Sequence, residues 1–122
     1  NPVKTWSVES IRSQPDCPEA LCRDLSDDVY VTIDLDVFDP SLMPSTGTPE
    51  PGGLLWHEVL SVLREVCRLR RVRGFDVVEL APLPGIVAPD FLAAKLTYRT
   101  MGYLVQAAGR GKGRRPRAAA RR

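Results

Sequence analysis

Two short apolar runs separated by one amphipathic helix constrain this fold more than any other feature of the sequence. Residues 29–34 and 72–80 string β-branched and other apolar side chains together with little polar alternation, which is typical of strands. Between these runs, apolar residues recur at steps of three and four from Trp56 to Cys67, which predicts an amphipathic helix. A strand, a helix and a second strand favour a right-handed crossover within a parallel sheet. Such apolar strands suit a sheet that is covered on both faces.

Three further elements complete the predicted order. Residues 4–8 suit a short strand, residues 17–25 a short helix, and residues 89–106 a longer helix with an apolar stripe. The alternation of strands and helices indicates an α/β fold with a layered parallel sheet. Two or three strands do not close such a core, so we expect further strands outside this sequence.

The charge is divided unevenly along the 122 residues. The chain has 17 Lys and Arg against 15 Asp and Glu, but all seven basic residues after Ala108 lie in a segment without acids. We therefore predict an acidic α/β domain over residues 1–106 and a basic disordered tail over residues 107–122. The tail has no aromatic residue for stacking on bases, so we expect a solvated extension rather than a nucleic-acid contact.

The sequence carries no membrane or export signal. No apolar run approaches the roughly 20 residues that a spanning helix needs, and no secretory leader is evident. We therefore expect a cytoplasmic protein, with free thiols at Cys17, Cys22 and Cys67, whose spacing fits neither a redox pair nor a zinc site. Because the chain opens with Asn1 rather than Met, we expect it to be part of a longer reading frame.

Two aspartates at the end of the first strand predict a cation site. Asp34 and Asp36 are two residues apart, so on a strand they would face the same side at the carboxyl edge, where α/β sheets bind ligands. Paired carboxylates suit a hard divalent cation such as Mn²⁺ or Mg²⁺. The alternative is that these aspartates only shape a turn. Asp39, which precedes Pro40, is assigned to the turn.

A long loop and a second carboxylate belong to the same predicted edge. The connection over residues 38–53 is about 15 residues long, where about 4–6 is usual, and four prolines stiffen it. Thr46, Thr48 and Glu50 offer polar groups from this loop. Glu79 closes the second strand, and we expect it to be at least partly buried, either as the receptor of a cationic substrate group or in a salt bridge to an arginine. His57, the only histidine, is predicted to lie on a helix surface.

Four motifs follow one another along the chain: Thr32–Pro40, Thr46–Glu50, Gly52–Leu54 and Phe75–Pro82. In order and spacing they resemble the C-terminal half of the ureohydrolases, the family of arginase and agmatinase. The resemblance implies a three-layer α/β/α parallel sheet of the arginase type, of which only the C-terminal part is present. It also implies a binuclear manganese enzyme that hydrolyses a guanidino compound to urea and an amine, by attack of a metal-bridging hydroxide.

The resemblance also implies roles for individual residues. Asp34 matches the carboxylate that bridges both manganese ions, and Asp36 matches a ligand of one of them. Glu79 matches the acceptor of the substrate guanidinium, and Thr48 lies in the loop that lines the substrate pocket. The family's remaining metal ligands lie in a Gly-Gly-Asp-His motif and an Asp-Ala-His-x-Asp motif, which this sequence lacks. We therefore expect the isolated chain to be inactive.

The resemblance is closest to agmatinase-type members, because a glutamate follows the proline in Thr46–Glu50. It implies agmatine as the substrate and putrescine as the amine product. Arginine, guanidinobutyrate, guanidinopropionate and formiminoglutamate remain open as substrates. The resemblance also implies that the full-length protein forms a homo-oligomer, either a trimer or a hexamer. The alternative is a chain without catalytic function, either a remnant or an assembly subunit of a ureohydrolase.

Overall fold

A computed structural model describes residues 3–14 and 16–111 of the chain. These residues form four α-helices, one turn of 3-10 helix and two β-strands. In chain order they are α1 (Val8–Ser13), α2 (Cys17–Arg23), β1 (Asp28–Asp34), the 3-10 turn (Leu35–Val37), α3 (Trp56–Leu69), β2 (Arg71–Val78) and α4 (Ala88–Gly111).

The two strands pair in parallel, as the sequence predicts. Asp28 lies opposite Arg71 at the start of the ladder, and Asp34 lies opposite Val78 at its end. Parallel neighbours cannot be joined by a tight turn, and here the connection runs through the long loop and α3. The carboxyl ends of β1 and β2 therefore meet at one edge of the sheet.

The hydrophobic core lies between one face of the sheet and the helices α3 and α4. Ile33 on β1 is buried there, and Phe75 and Val77 on β2 pack against the same core. The opposite face is open in the part of the chain that the structure describes, since Tyr30 is 64% exposed. Among residues 3–14 and 16–111, the helices α3 and α4 thus cover one of the two faces that we expect to be covered. The buried core cluster comprises Ile33, Leu35, Phe38, Met43, Leu54, Val59, Leu60, Leu63, Ala93 and Leu96.

The predicted strand over residues 4–8 is wrong. Residues 3–7 have no regular structure, and α1 begins at Val8. The physical reason is a helix cap, because the Ser7 hydroxyl accepts a hydrogen bond from the backbone N–H of Ser10 at 3.2 Å. The predicted helix over residues 17–25 is confirmed as α2, which ends two residues earlier at Arg23.

Helix α4 is longer than the sequence predicts. It continues past residue 106 to Gly111, so that residues 107–111, assigned to the tail, are helical. Apolar side chains on its inner face, including the fully buried Leu96, hold it against the core. The remainder of the predicted tail, residues 112–122, lies outside the described residues.

An ion pair attaches the short helix α1 to the start of α3. Arg12 donates from Nε to Oε1 of Glu58 at 2.8 Å and from a terminal guanidinium nitrogen to the carbonyl of Gly53 at 2.9 Å. Hydrogen bonds from Arg12 and from the backbone N–H of Leu55 hold the pKa of the Glu58 carboxyl below its usual 4.5. Glu58 therefore contributes stability above pH 4.5, and that contribution is lost as the pH falls through its lowered pKa.

Urea unfolding as a function of pH tests this attachment. On acidification from about pH 6 to about pH 3, the wild type should lose more stability than Glu58→Gln, because the variant has no charge to neutralise at this position. Glu50→Gln, a change of the same kind on the exposed part of the loop, serves as the control and should follow the wild type. Equal losses of unfolding free energy in the wild type and in Glu58→Gln would contradict the stabilising role of the Arg12–Glu58 ion pair.

Candidate functional site at the carboxyl edge of the sheet

The two aspartates of the predicted cation site lie at the carboxyl edge, but not on one strand. β1 ends at Asp34, and Asp36 belongs to the 3-10 turn that follows. The argument from strand alternation is therefore wrong for Asp36, because the backbone turns after Asp34. Asp34 is exposed, whereas Asp36 is half-buried.

The 38–53 loop folds back on the end of β1. Phe38 forms an isolated parallel bridge with Leu54, and the backbone N–H of Leu54 donates to the carbonyl of Val37 at 2.8 Å. Met43 and Ser45 in the middle of the loop are fully buried. The loop thus forms an ordered wall at the carboxyl edge, as its prolines predict.

Thr48 connects this loop to the aspartates. Its hydroxyl Oγ1 donates to Oδ2 of Asp36 at 2.8 Å. On the strand itself, the hydroxyl of Thr32 makes a longer contact of 3.4 Å with Oδ1 of Asp34. Threonine hydroxyls therefore contact one oxygen of each carboxylate.

Glu79 lies at the same edge but is not buried. It directly follows Val78, the register partner of Asp34. Its backbone has φ 66°, the left-handed region that costs a non-glycine residue energy. The residue is exposed, so the expectation of partial burial is wrong. β2 ends at Val78, two residues before the predicted end at residue 80, and the sharp backbone turn places Glu79 outside the core.

The loop is joined to the segment after Glu79 by a contact that the sequence analysis missed. The backbone N–H of Ala81 donates to the carbonyl of Ser45 at 2.8 Å. The hydroxyls of Ser45 and Thr46 are buried and have no hydrogen-bond partner among the described residues. The sequence signal for this contact was the pair of small hydroxyl residues next to Gly47, because small polar side chains allow a loop to pass close to another segment.

The residues that the sequence analysis left out of the site lie where it predicts. Asp39 shapes the turn: it accepts hydrogen bonds from the hydroxyl and the backbone N–H of Ser41, which hold the pKa of its carboxyl below the usual value. His57 is exposed on the first turn of α3. Cys17, Cys22 and Cys67 are free and buried, and burial raises the pKa of each thiol.

The carboxylates at this edge are ligands of the type that a hard divalent cation takes, but they are too few to form a complete metal site. Asp34 and Asp36 offer carboxylate oxygens, the ligands that Mn²⁺ and Mg²⁺ take readily. Among residues 3–14 and 16–111, no group of three or more His, Cys, Asp or Glu side chains is placed to hold a metal ion. A complete metal centre built on these two aspartates would need further ligands from outside the described residues.

Comparison with known proteins shows the same segment in other chains. A family model described as the arginase family matches residues 3–102. The N(1)-aminopropylagmatine ureohydrolase of Synechocystis sp. is 44% identical over 98 residues, which are 80% of this chain and 32% of that protein. The agmatinase of Pyrococcus horikoshii is 43% identical over 82 residues, or 67% of this chain and 29% of that protein.

A solved structure shares the fold. The proclavaminate amidino hydrolase from Streptomyces clavuligerus superposes with a TM-score of 0.78 at 33% identity, over 86% of this chain and 36% of that one. The chain thus spans about a third of the length of the relatives it matches. No helix in the described part is both long and apolar enough to cross a membrane. The family match covers most of the chain, including both aspartates, the loop and Glu79, and shows that the chain belongs to the arginase family.

Proposed function

We propose that this chain supplies one part of the active site of a manganese-dependent ureohydrolase, which releases urea from a guanidino compound of the agmatine type. The observation that carries the proposal is the Thr48–Asp36 hydrogen bond at the edge where β1 ends, within a segment 44% identical to a ureohydrolase. It brings a residue of the long loop against one of the two aspartates. A loop that served only as a connection would not need this contact.

Each polar residue at the edge has a distinct task in this proposal. Asp34 and Asp36 would hold manganese together with ligands that lie outside this chain. Thr48 keeps the Asp36 carboxylate in one orientation, as hydrogen-bonded partners of metal ligands commonly do. Glu79, exposed beside the end of β1, would accept paired charge-assisted hydrogen bonds from the guanidinium of the substrate. Bound manganese would supply the activation of water for attack on the guanidinium carbon.

The incomplete sheet supports the view that the chain acts as part of a larger fold. In the described residues, β1 pairs with β2 along one edge only. A groove of about 910 Å³ follows β1, and it is lined by the strand and by apolar side chains from the neighbouring helices, such as Leu21 and Val62. An open edge of a parallel sheet favours pairing with another strand. We also propose that the full-length enzyme forms a homo-oligomer, either a trimer or a hexamer.

The names of the relatives support the proposed substrate class. Their names include agmatinase and N(1)-aminopropylagmatine ureohydrolase, both of which refer to agmatine or an agmatine derivative. We propose agmatine as the substrate, with putrescine and urea as products, and its aminopropyl derivative as the closest competitor. Most of the loops that would contact the far end of the substrate are missing from this chain in our proposal, so the two compounds are to be compared in the full-length enzyme.

Manganese binding by the 122-residue chain tests the role of the two aspartates. We expect weak Mn²⁺ binding in electron paramagnetic resonance titrations, and loss of about tenfold or more in affinity in Asp34→Asn and Asp36→Asn. Asp27→Asn, a matched change of an exposed carboxylate just before β1, should bind like the wild type. The chain alone should release no urea from agmatine and Mn²⁺. Equal Mn²⁺ affinity in all four proteins would overturn the metal role.

The coding DNA upstream of Asn1 decides between the catalytic proposal and its alternative. A reading frame that continues into the two histidine-bearing motifs of the family supports an active ureohydrolase. A stop codon or an unrelated domain there would mean that the metal centre is never completed in this polypeptide. The chain would then be a non-catalytic remnant or an assembly subunit.

A further inference from the structure

One carboxylate joins the two ends of the 38–53 loop. Oδ1 of Asp39 accepts hydrogen bonds from the backbone N–H of Ser41 at 3.0 Å and from its hydroxyl. Oδ2 of the same side chain accepts the backbone N–H of Gly52 at 2.9 Å. Ser41 lies near the start of the loop and Gly52 near its end, so a single side chain closes the loop.

Backbone contacts at Asp39 reinforce this closure. Its N–H donates to the carbonyl of Leu54 at 3.0 Å, and its carbonyl accepts from the N–H groups of Leu42 and Met43. The side chain and the main chain of one residue thus contact both the first and the last turn of the loop. With three donors on its two oxygens, the Asp39 carboxylate is occupied by the protein and is not offered to a metal.

The closed loop determines where Thr48 lies. Thr48 is an exposed residue of the loop, and its hydroxyl reaches Asp36, which precedes Asp39 by three residues. Asp36, Asp39, Gly52 and Thr48 therefore form a ring of contacts around the loop. Thr48 lies between Ser45, which is buried and bonded to Ala81, and Gly52, which is bonded to Asp39. If the link between Asp39 and Gly52 opened, the Gly52 side of this segment would lose a contact that holds Thr48 near Asp36.

We propose that Asp39 is a positioning residue of the site: by closing the 38–53 loop, it holds Thr48 on Asp36 and so orients that carboxylate. The proposal rests on the proposed function, in which Asp36 is a metal ligand. It predicts that substitutions at Asp39 change the positions of the Asp36 and Thr48 side chains, although the Asp39 side chain contacts neither of them.

Nuclear magnetic resonance of the metal-free 122-residue chain tests the positioning directly. In Asp39→Ala, the backbone signals of Asp36 and Thr48 should move towards those of Thr48→Val, which lacks the donating hydroxyl. Asp39→Asn keeps one acceptor oxygen and should retain part of the closure, so its signals should lie between. A milder variant, Ser41→Ala, removes only the hydroxyl donor and should move the same signals by less.

Two controls separate positioning from a general loss of stability. Val66→Ala removes buried volume from α3, away from the loop, and should lower the unfolding midpoint while leaving the Asp36 and Thr48 signals unchanged. Asp27→Asn repeats the loss of a carboxylate outside the loop and should also leave them unchanged. Wild-type signals for Asp36 and Thr48 in folded Asp39→Ala would overturn the proposal. If Asp39→Ala does not fold, unchanged signals in both Asp39→Asn and Ser41→Ala would overturn it.

A second measurement distinguishes failure of this inference from failure of the proposed function. The Mn²⁺ affinity of folded Asp39→Ala should fall by about tenfold, as for other groups that orient a metal ligand, whereas Val66→Ala should bind as the wild type does. Should the wild-type chain bind no Mn²⁺ at Asp36, the metal role fails. The metal-free spectra still decide whether Asp39 positions Thr48.

Discussion

Replacing Gly53 by alanine should lower the free energy of unfolding by about 2–4 kcal/mol, because the new methyl group has no space. A Cβ at this position would lie 2.5 Å from the carbonyl carbon of Phe38 and 2.6 Å from the backbone nitrogen of Asp39. These are main-chain atoms, which cannot rotate away. To relieve the contact, the end of the loop must move away from the Phe38–Asp39 peptide and weaken the Phe38–Leu54 bridge.

The control for this prediction is Gly47→Ala in the same loop. No heavy atom lies within 4 Å of the Cβ that this substitution would add, so the change should stay within about 0.5 kcal/mol of the wild type. Both variants are compared by urea unfolding followed by circular dichroism. Equal midpoints for Gly53→Ala and Gly47→Ala would show that the close approach of the two segments is not needed for stability.

Phe38→Ala should have the largest effect on stability, a loss of about 3–5 kcal/mol. Phe38 is fully buried, and its ring stacks on Trp56 at a centroid distance of 6.1 Å. The residue follows the segment that carries Asp34 and Asp36 and anchors it against the start of α3. Truncation would leave a cavity under the carboxyl edge, so the loss includes both apolar burial and packing contacts.

Phe91→Ala on α4 is the matched control for Phe38→Ala. Phe91 is 68% exposed, and its truncation should change the unfolding free energy by no more than about 0.5 kcal/mol. Phe38→Leu keeps most of the buried volume and should fall between the wild type and Phe38→Ala. A midpoint for Phe38→Ala close to that of Phe91→Ala would refute the anchoring role.

The regular part of the fold follows from side-chain periodicity. β1, β2 and α3 begin and end within about two residues of their predicted bounds, because each buries one apolar face whose spacing is visible in the sequence. The predicted N-terminal strand is wrong because Ser7 caps a helix, and one capping hydrogen bond outweighs the short apolar pattern there. Helix α4 continues to Gly111, although only Ala107 among residues 105–109 is partly buried.

The site follows from the sequence only in part. The carboxylates at the strand ends were predicted from their position, and the parallel pairing of β1 and β2 puts Glu79 directly after the partner of Asp34. The hydrogen bonds that organise the loop could not be predicted, because they join Asp39 to Gly52 and Thr48 to Asp36 across many residues. The exposure of Glu79 depends on a single left-handed backbone angle that no pattern in the sequence encodes.

The three buried cysteines decide how this chain responds to oxidants. Cys17 and Cys22 lie on α2 and Cys67 on α3, and all three are shielded by the packing of these helices. Thiolates react with oxidants, and burial both covers these sulfurs and raises the pKa of each thiol. A thiol here reacts only after the packing around it has opened. Oxidative damage at these positions therefore follows local unfolding and does not initiate it.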